Sequence, residues 1–209
     1  MTTKSLLERA YPNRRANLKR AILEAALASF NTHGIEAATI EMIRAAVDTS
    51  VGAIYHHFGN KEGLVAALFL AALTDQAGLR EEYLSTAEST EDGVRALVYS
   101  YVDWVVAQPD WARFMFQARY AVSQGPYATS LSSRNKERNE KLHAWFATST
   151  RAIELRPLAS ELIPSLIVGP AESYCRAWLS GRVQASPAFH RKAIADAAWL
   201  AVGRGMNEG

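Results

Sequence analysis

Apolar residues recur along this chain at the three-to-four-residue spacing of helices. Nowhere do they alternate over a run closed by a hairpin dipeptide such as Asn-Gly. The pattern predicts an all-α fold. A first helix is expected from about Asn13 to His33, its stripe formed by Ile22, Leu23, Ala26, Leu27 and Phe30 and its end set by Gly34. Thr39 stands where it can cap a short second helix that starts at Ile40 and ends near Val47. Asp48, Thr49 and Ser50 form a turn-and-cap cluster before a third short segment, Val51 to Phe58, which Gly59 and Asn60 close. A long helix then runs from Lys61 to about Tyr83 or Ser85. Further helices are expected over 91–107, 110–122, 129–154, 160–181 and 187–204, broken near Pro109, Gly125-Pro126, Pro157 and Ser186-Pro187. Two parts follow: a small module over 1–60 and a larger helical domain over 61–209.

Length and composition sharpen this picture. With 209 residues, 49% of them apolar, the chain is ordinary globular material for one large domain or a small module fused to a larger one. The lone cysteine, Cys175, can form no internal disulfide or thiolate-rich zinc site, and it reads as a buried small hydrophobe in a reducing, cytoplasmic setting. No apolar signal region opens the chain and no stretch approaches 18 uncharged apolar residues, so neither secretion nor membrane spanning is expected. The formal net charge is only +2, yet the whole excess of bases lies in residues 1–65. Lys4, Arg9, Arg14, Arg15, Lys19 and Arg20 face one acid, Glu8, over residues 4–20. Such an arm suits phosphates; a solvated tail has the same composition.

Three short helices, a tight turn between the second and third, and a basic arm fit a helix-turn-helix reader of DNA. The run TIEMIRAAVDTSVGAIYHHFGNKEGL resembles the DNA-binding signature of the TetR/AcrR family of bacterial transcriptional regulators. The resemblance extends from about Leu18 to Leu64, with Phe30, Gly34, Thr39, Ile43, Ser50, Gly52, Tyr55, His57, Phe58, Lys61, Glu62 and Leu64 at the family's spacing. It implies that Thr39 and Lys61 clamp phosphates and that the Ser50 turn opens the recognition helix. Tyr55 can present its phenol to a phosphate while Ile54 and Phe58 anchor the helix. Val51, Gly52 and Ala53 would face base edges, Gly52 through close backbone approach and the other two through apolar contact with thymine methyls. His56 is a further phosphate or base contact, and His57 is expected to pack against the module. Asp48 occupies the family's usual glycine position and Thr49 its small apolar one. Aspartate tolerates a left-handed turn, but its carboxylate opposes DNA.

The neighbouring imidazoles of His56 and His57 lie about 100° apart on a helix, so no shared metal is expected, nor one at Glu140 and His143. No GxSxG, phosphate-cradling glycine loop or HExxH is present, and the chain is expected not to be an enzyme. In the larger part, YVDWVVAQPDWARFMFQARY is apolar on several faces and must be buried or border a cavity. Trp104, Met115, Phe116 and Tyr120, with Trp145, Tyr174 and Trp178, are candidates to line a ligand pocket. Arg119, like Arg176, is a candidate to orient the ligand. The last two helices resemble the family's two-fold four-helix bundle. Leu166, Pro170 and Ala177 on one, with Ala193, Ala197 and Ala201 on the other, are candidates for the dimer interface, since small residues permit close approach. Pro170 should remove one helical hydrogen bond and bend its helix.

The architecture so implied is an N-terminal three-helix helix-turn-helix module joined by a long helix to a larger ligand-binding and dimerisation domain. The implied function is a repressor that binds a palindromic double-stranded DNA operator as a homodimer and is released by a small apolar or aromatic effector, with no other cofactor. An activator of the same fold, a helical carrier or enzyme, and a scaffold with an inactive head remain the alternatives.

Overall fold

The computed structural model describes residues 5–147 and 153–204. Apart from one antiparallel bridge between Leu155 and Gly203, its regular structure is helical. The helices are α1 (Leu6–Ala10), α2 (Asn17–His33), α3 (Ile40–Ala45), α4 (Val51–Phe58), α5 (Lys61–Ser85), α6 (Thr90–Ala107), α7 (Pro109–Gln124), α8 (Ala128–Phe146), α9 (Leu162–Leu179) and α10 (Pro187–Val202). A single 3-10 turn, Arg14–Ala16, precedes α2. The expected 129–154 helix reaches Phe146, and its continuation falls partly on residues 148–152, outside the described residues.

The chain divides into two compact units, and the division cuts across the boundary expected at residue 60. One unit holds residues 1–75 and 110–135, the other 76–109 and 136–209. Helices α5, α7 and α8 are therefore not all parts of a separate C-terminal body: the start of α5, nearly all of α7 and the first turns of α8 pack with the head. Helix α5 is long and apolar enough, by length and composition, to cross a membrane. Burial of Leu64, Val65, Leu68, Phe69 and Ala72 gives that apolar content a structural use.

Local chemistry explains the elements of the first unit. Helix α1, absent from the sequence-based expectation, begins at a capping box in which Ser5 Oγ accepts from Glu8 N and Ser5 N donates to the Glu8 carboxylate. Leu6 and Leu7, each 2% exposed, hold it down. In α2 the inner stripe is Ile22, Leu23, Ala26 and Phe30, while Leu27 is half-buried at its edge. Gly34 (φ 82°) and Gly59 (φ 76°) end α2 and α4 in conformations that residues with a Cβ rarely adopt. Phe30 stacks on Phe114 of α7 with ring centroids 5.9 Å apart, and Asn31 Nδ2 donates to Asp110 O at 3.0 Å.

In the second unit α6, α9 and α10 pack together around Val94, Val98, Val102, Ile167, Ala171, Ala195 and Ala198. Arg95 joins Glu91 and Asp196, and Asp103 accepts from both Tyr83 and Arg191. Cys175 is fully buried, and its burial pushes the thiol up to about 12. The hydrogen bond to Asp103 likewise raises the Tyr83 phenol. Both groups hold their protons more tightly folded than unfolded. Their stabilisation is complete below their ordinary values near 9 and 10 and is lost as pH rises through the raised ones. Urea unfolding from pH 8 to 11 should show stability falling above pH 9, with Cys175 contributing up to about 1.4 kcal/mol per pH unit. Cys175→Ala should flatten that slope.

Candidate nucleic-acid interface

Helices α3 and α4 form the helix-turn-helix pair. Each is started by a side chain: Thr39 Oγ1 accepts from Met42 N at 3.2 Å, and Ser50 Oγ accepts from Ala53 N at 3.1 Å. Both residues are exposed, and in this role each hydroxyl keeps its proton, free to be donated to a phosphate oxygen. The turn between the helices contains no left-handed residue, because among the described residues positive φ occurs only at glycines. Asp48 thus meets no conformational demand for glycine. What it changes is charge: its carboxylate is exposed.

Helix α4 is sharply two-faced. Ile54 (0% exposed) and Phe58 (7%) anchor it, while Gly52, Tyr55 and His56 are exposed and Val51 and Ala53 half-buried. His57 is a correction: it is exposed, with an edge-on ring contact to Phe58, because a helix this short buries one stripe and Ile54 and Phe58 occupy it.

The basic arm is also redrawn. Arg9 Nε donates to Asp75 at 2.6 Å, Arg20 donates to Tyr11 O, Asn13 O and Asn17 Oδ1, and Lys19 lies over the rings of Tyr11 (4.8 Å) and Phe58 (5.4 Å). Half of the bases expected to meet phosphates therefore brace the head. Arg14 and Arg15 are exposed, and Lys4 lies outside the described residues. Lys61 has a bracing role too, its ammonium donating to Glu36 O at 2.9 Å and Ala38 O at 3.1 Å, just ahead of the α3 cap. Nothing in the sequence distinguishes a lysine that ties a loop from one that faces DNA.

The residues expected at a ligand pocket fall in both units. Met115 is buried, Phe116 half-buried, Arg119 exposed and Tyr120 78% exposed, all in the first unit. Trp104 is buried in the second unit, where Trp145, Tyr174 and Trp178 are half-buried. The Trp145 ring lies so close to Gly93 that a Cβ there would come within 2.2 Å of it, and Tyr174 donates to Ala185 O at 3.2 Å. Arg176 pairs with Glu172 at 2.8 Å. A cation missed in the sequence is Arg80: its Nε is buried without a hydrogen-bond partner among the described residues, and burial lowers its pKa. No sequence signal marks it, since its neighbours Leu79 and Glu81 are ordinary helix residues.

Of the six residues expected at a dimer interface, Pro170, Ala193 and Ala197 are exposed, and Leu166 and Ala201 are half-buried. Ala177 is a correction, at 5% exposure. The chain returns over the end of α9, with Arg182 N and Val183 N both donating to Ala177 O. Phe189 (84% exposed) and Leu200 (73%) on α10, which no sequence pattern marked, extend the exposed apolar face.

Residues 22–68 match the bacterial regulatory proteins of the tetR family. The chain is 42% identical over 69 residues to the HTH-type transcriptional repressor AcnR of Corynebacterium glutamicum, a match covering 33% of this chain and about a third (35%) of that relative. In fold it is similar to a TetR family transcription regulator from Marinobacter aquaeolei VT8, with TM-score 0.77, 19% identity, and coverage of 92% of this chain and 98% of that one. The transcriptional regulator FadR from Bacillus subtilis, solved in complex with stearoyl-CoA, is similar at TM-score 0.73 and 15% identity, covering 86% and 97%. The likeness to the tetR family of bacterial regulatory proteins is carried in sequence by the helix-turn-helix head, and the chain spans about a third of the length of the curated relative it matches.

Proposed function

We propose that the chain is a cytoplasmic, ligand-released transcriptional repressor that grips a near-palindromic operator as a homodimer. The observation that carries this reading is the outward face of α4. Tyr55, His56 and Gly52 are presented to solvent from a helix locked by Ile54 and Phe58, with the Ser50 hydroxyl at its start. A rigid helix with its N-terminal turn free is what a major groove admits. The hydroxyls of Thr39, Ser50 and Tyr55 set register on phosphates, and the turn's small residues touch base edges. Exposed Phe189, Ala193, Ala197 and Leu200 form an apolar face whose natural cover is a second copy of the same face. Dimeric helix-turn-helix readers set their two recognition helices in successive major grooves roughly 34–36 Å apart.

The effector is an apolar molecule with an anionic headgroup. Support for the apolar body comes from half-buried Trp145, Tyr174 and Trp178, and for the headgroup from the Arg80 Nε, which has no hydrogen-bond partner among the described residues; stearoyl-CoA, bound by the FadR neighbour, has that chemistry. Selection of bound duplexes from a random DNA pool, at two salt concentrations, tests the reading. A palindrome should emerge, with affinity falling as salt rises. Tyr55→Ala should weaken binding about tenfold or more, the loss of a hydrogen bond to a charged group. Recovery of no motif, with wild type and variant binding alike, would sink the proposal. Asp48→Asn, which removes charge but keeps shape, should tighten binding.

A further inference from the structure

A cavity of about 320 Å³ opens within the first unit, near the lower end of the roughly 300–1,000 Å³ range of small-molecule sites. Its apolar wall is formed by Ile35, Val65, Ala66, Val122 and Pro126, and Glu36, Lys61, Glu62 and Tyr127 supply the polar part. Two of these residues are also struts of the helix-turn-helix. The Lys61 ammonium holds the carbonyls of Glu36 and Ala38, which lead into the Thr39 cap of α3. The Tyr127 hydroxyl lies against Gly63, where the first turn of α5 meets Phe58 O at the end of α4.

We propose that this cavity binds a small hydrophobic amine and that filling it shifts the ends of α3 and α4 that Lys61 and Tyr127 support. The apolar wall asks for a hydrophobic body. The charge of the headgroup follows from the remaining residues. Glu36 and Glu62 are exposed and, among the described residues, in no ion pair. Two carboxylates stand against one ammonium, which is tied to two backbone carbonyls, so the lining has a surplus of one negative charge. A carboxylate headgroup would meet two like charges, whereas an ammonium would meet two opposite ones while staying partly hydrated. A ligand that presses on the Lys61 stem or the Tyr127 ring favours one arrangement of the head over another and so shifts its equilibrium. The site stands apart from the effector reading, which rests on aromatic residues of the second unit, and its binding is read without DNA.

The test is calorimetric titration of the full chain with 4-phenylbutylamine, 4-phenylbutan-1-ol and 4-phenylbutanoate, which share one body and differ in headgroup. The amine should bind tightest, by about fivefold over the carboxylate, the equivalent of roughly one exposed ion pair. The combined change Glu36→Gln and Glu62→Gln should bring amine and alcohol to similar affinity. Ala121→Trp, at an exposed position on the cavity's edge, should block all three while far-UV circular dichroism stays unchanged. Hydrogen exchange should change on amine binding in segments 36–42 and 58–63. No binding, equal or tighter binding of the carboxylate, or undiminished affinity in Ala121→Trp would overturn the site. Binding that leaves exchange in those two segments unaltered would overturn the coupling to the head. Failure of the chain to select any DNA sequence would leave each of these results as it stands.

Discussion

Phe114→Ala should destabilise the protein by about 3–5 kcal/mol and lower the melting temperature by roughly 6–20 °C, the largest effect expected of any single change considered. Both rings of the Phe30–Phe114 pair are fully buried and stack at an interplanar angle of 19°. Removing one leaves a cavity that close-packed neighbours fill only partly, in addition to the lost transfer free energy. The position has consequence beyond stability. Phe30 lies in the last turn of α2, and Phe114 belongs to α7, which packs as part of the head's own unit. Losing the pair should loosen α2 under the helix-turn-helix, so DNA affinity should fall even at temperatures where the protein remains folded. Phe114→Leu, which keeps most of the volume, should cost less than half as much. Chemical denaturation of the three proteins checks the ranking; a Phe114→Ala loss under about 1 kcal/mol would show that the stack is not a principal contact.

The second large effect is expected at Gly63, and its sign is the informative part. Within helices, alanine is ordinarily favoured over glycine by up to about 1 kcal/mol. Gly78 in the same helix has open space where a Cβ would go, and Gly78→Ala should stabilise by roughly 0.5–1 kcal/mol. At Gly63 a Cβ would sit 1.8 Å from Phe58 O and 2.9 Å from the Tyr127 hydroxyl. The carbonyl is backbone and cannot swing aside, so Gly63→Ala should destabilise by about 1–3 kcal/mol, and Gly63→Val by more. Because the displaced group ends α4, DNA binding should weaken more than in any variant of equal stability elsewhere. Opposite signs at the two glycines, measured by urea unfolding, would establish that α5 is held against the end of α4.

Much of the head is legible in the amino-acid sequence. The α2 stripe, the Thr39 and Ser50 caps and the Gly34 and Gly59 stops are local devices, each written within four or five residues, and the folded chain uses each of them. The two-faced character of α4 is legible for the same reason, since Ile54 and Phe58 are four residues apart on one side of a helix. Charge is legible only as a count. Six bases near the N-terminus read as one arm, yet Arg9, Arg20 and Lys19 have partners inside the head and Lys61 ties a loop 23 and 25 residues away.

The helical period, the caps and stops, and the signature by which residues 22–68 resemble tetR-family regulators depend on neighbours along the chain, so the order of residues is enough to set them. Whatever depends on neighbours in space was left to the tertiary fold. It packed α7 with the head through Phe30 and Phe114, turned Ala177 inward and His57 outward, and left Phe189 and Leu200 exposed on α10. It also built a cavity from three separated segments around residues 35, 61 and 125. A side chain's hydrogen bonds and burial are set by whatever the fold brings within a few ångströms, and residues roughly 60 or 80 positions apart carry no local sign of that meeting.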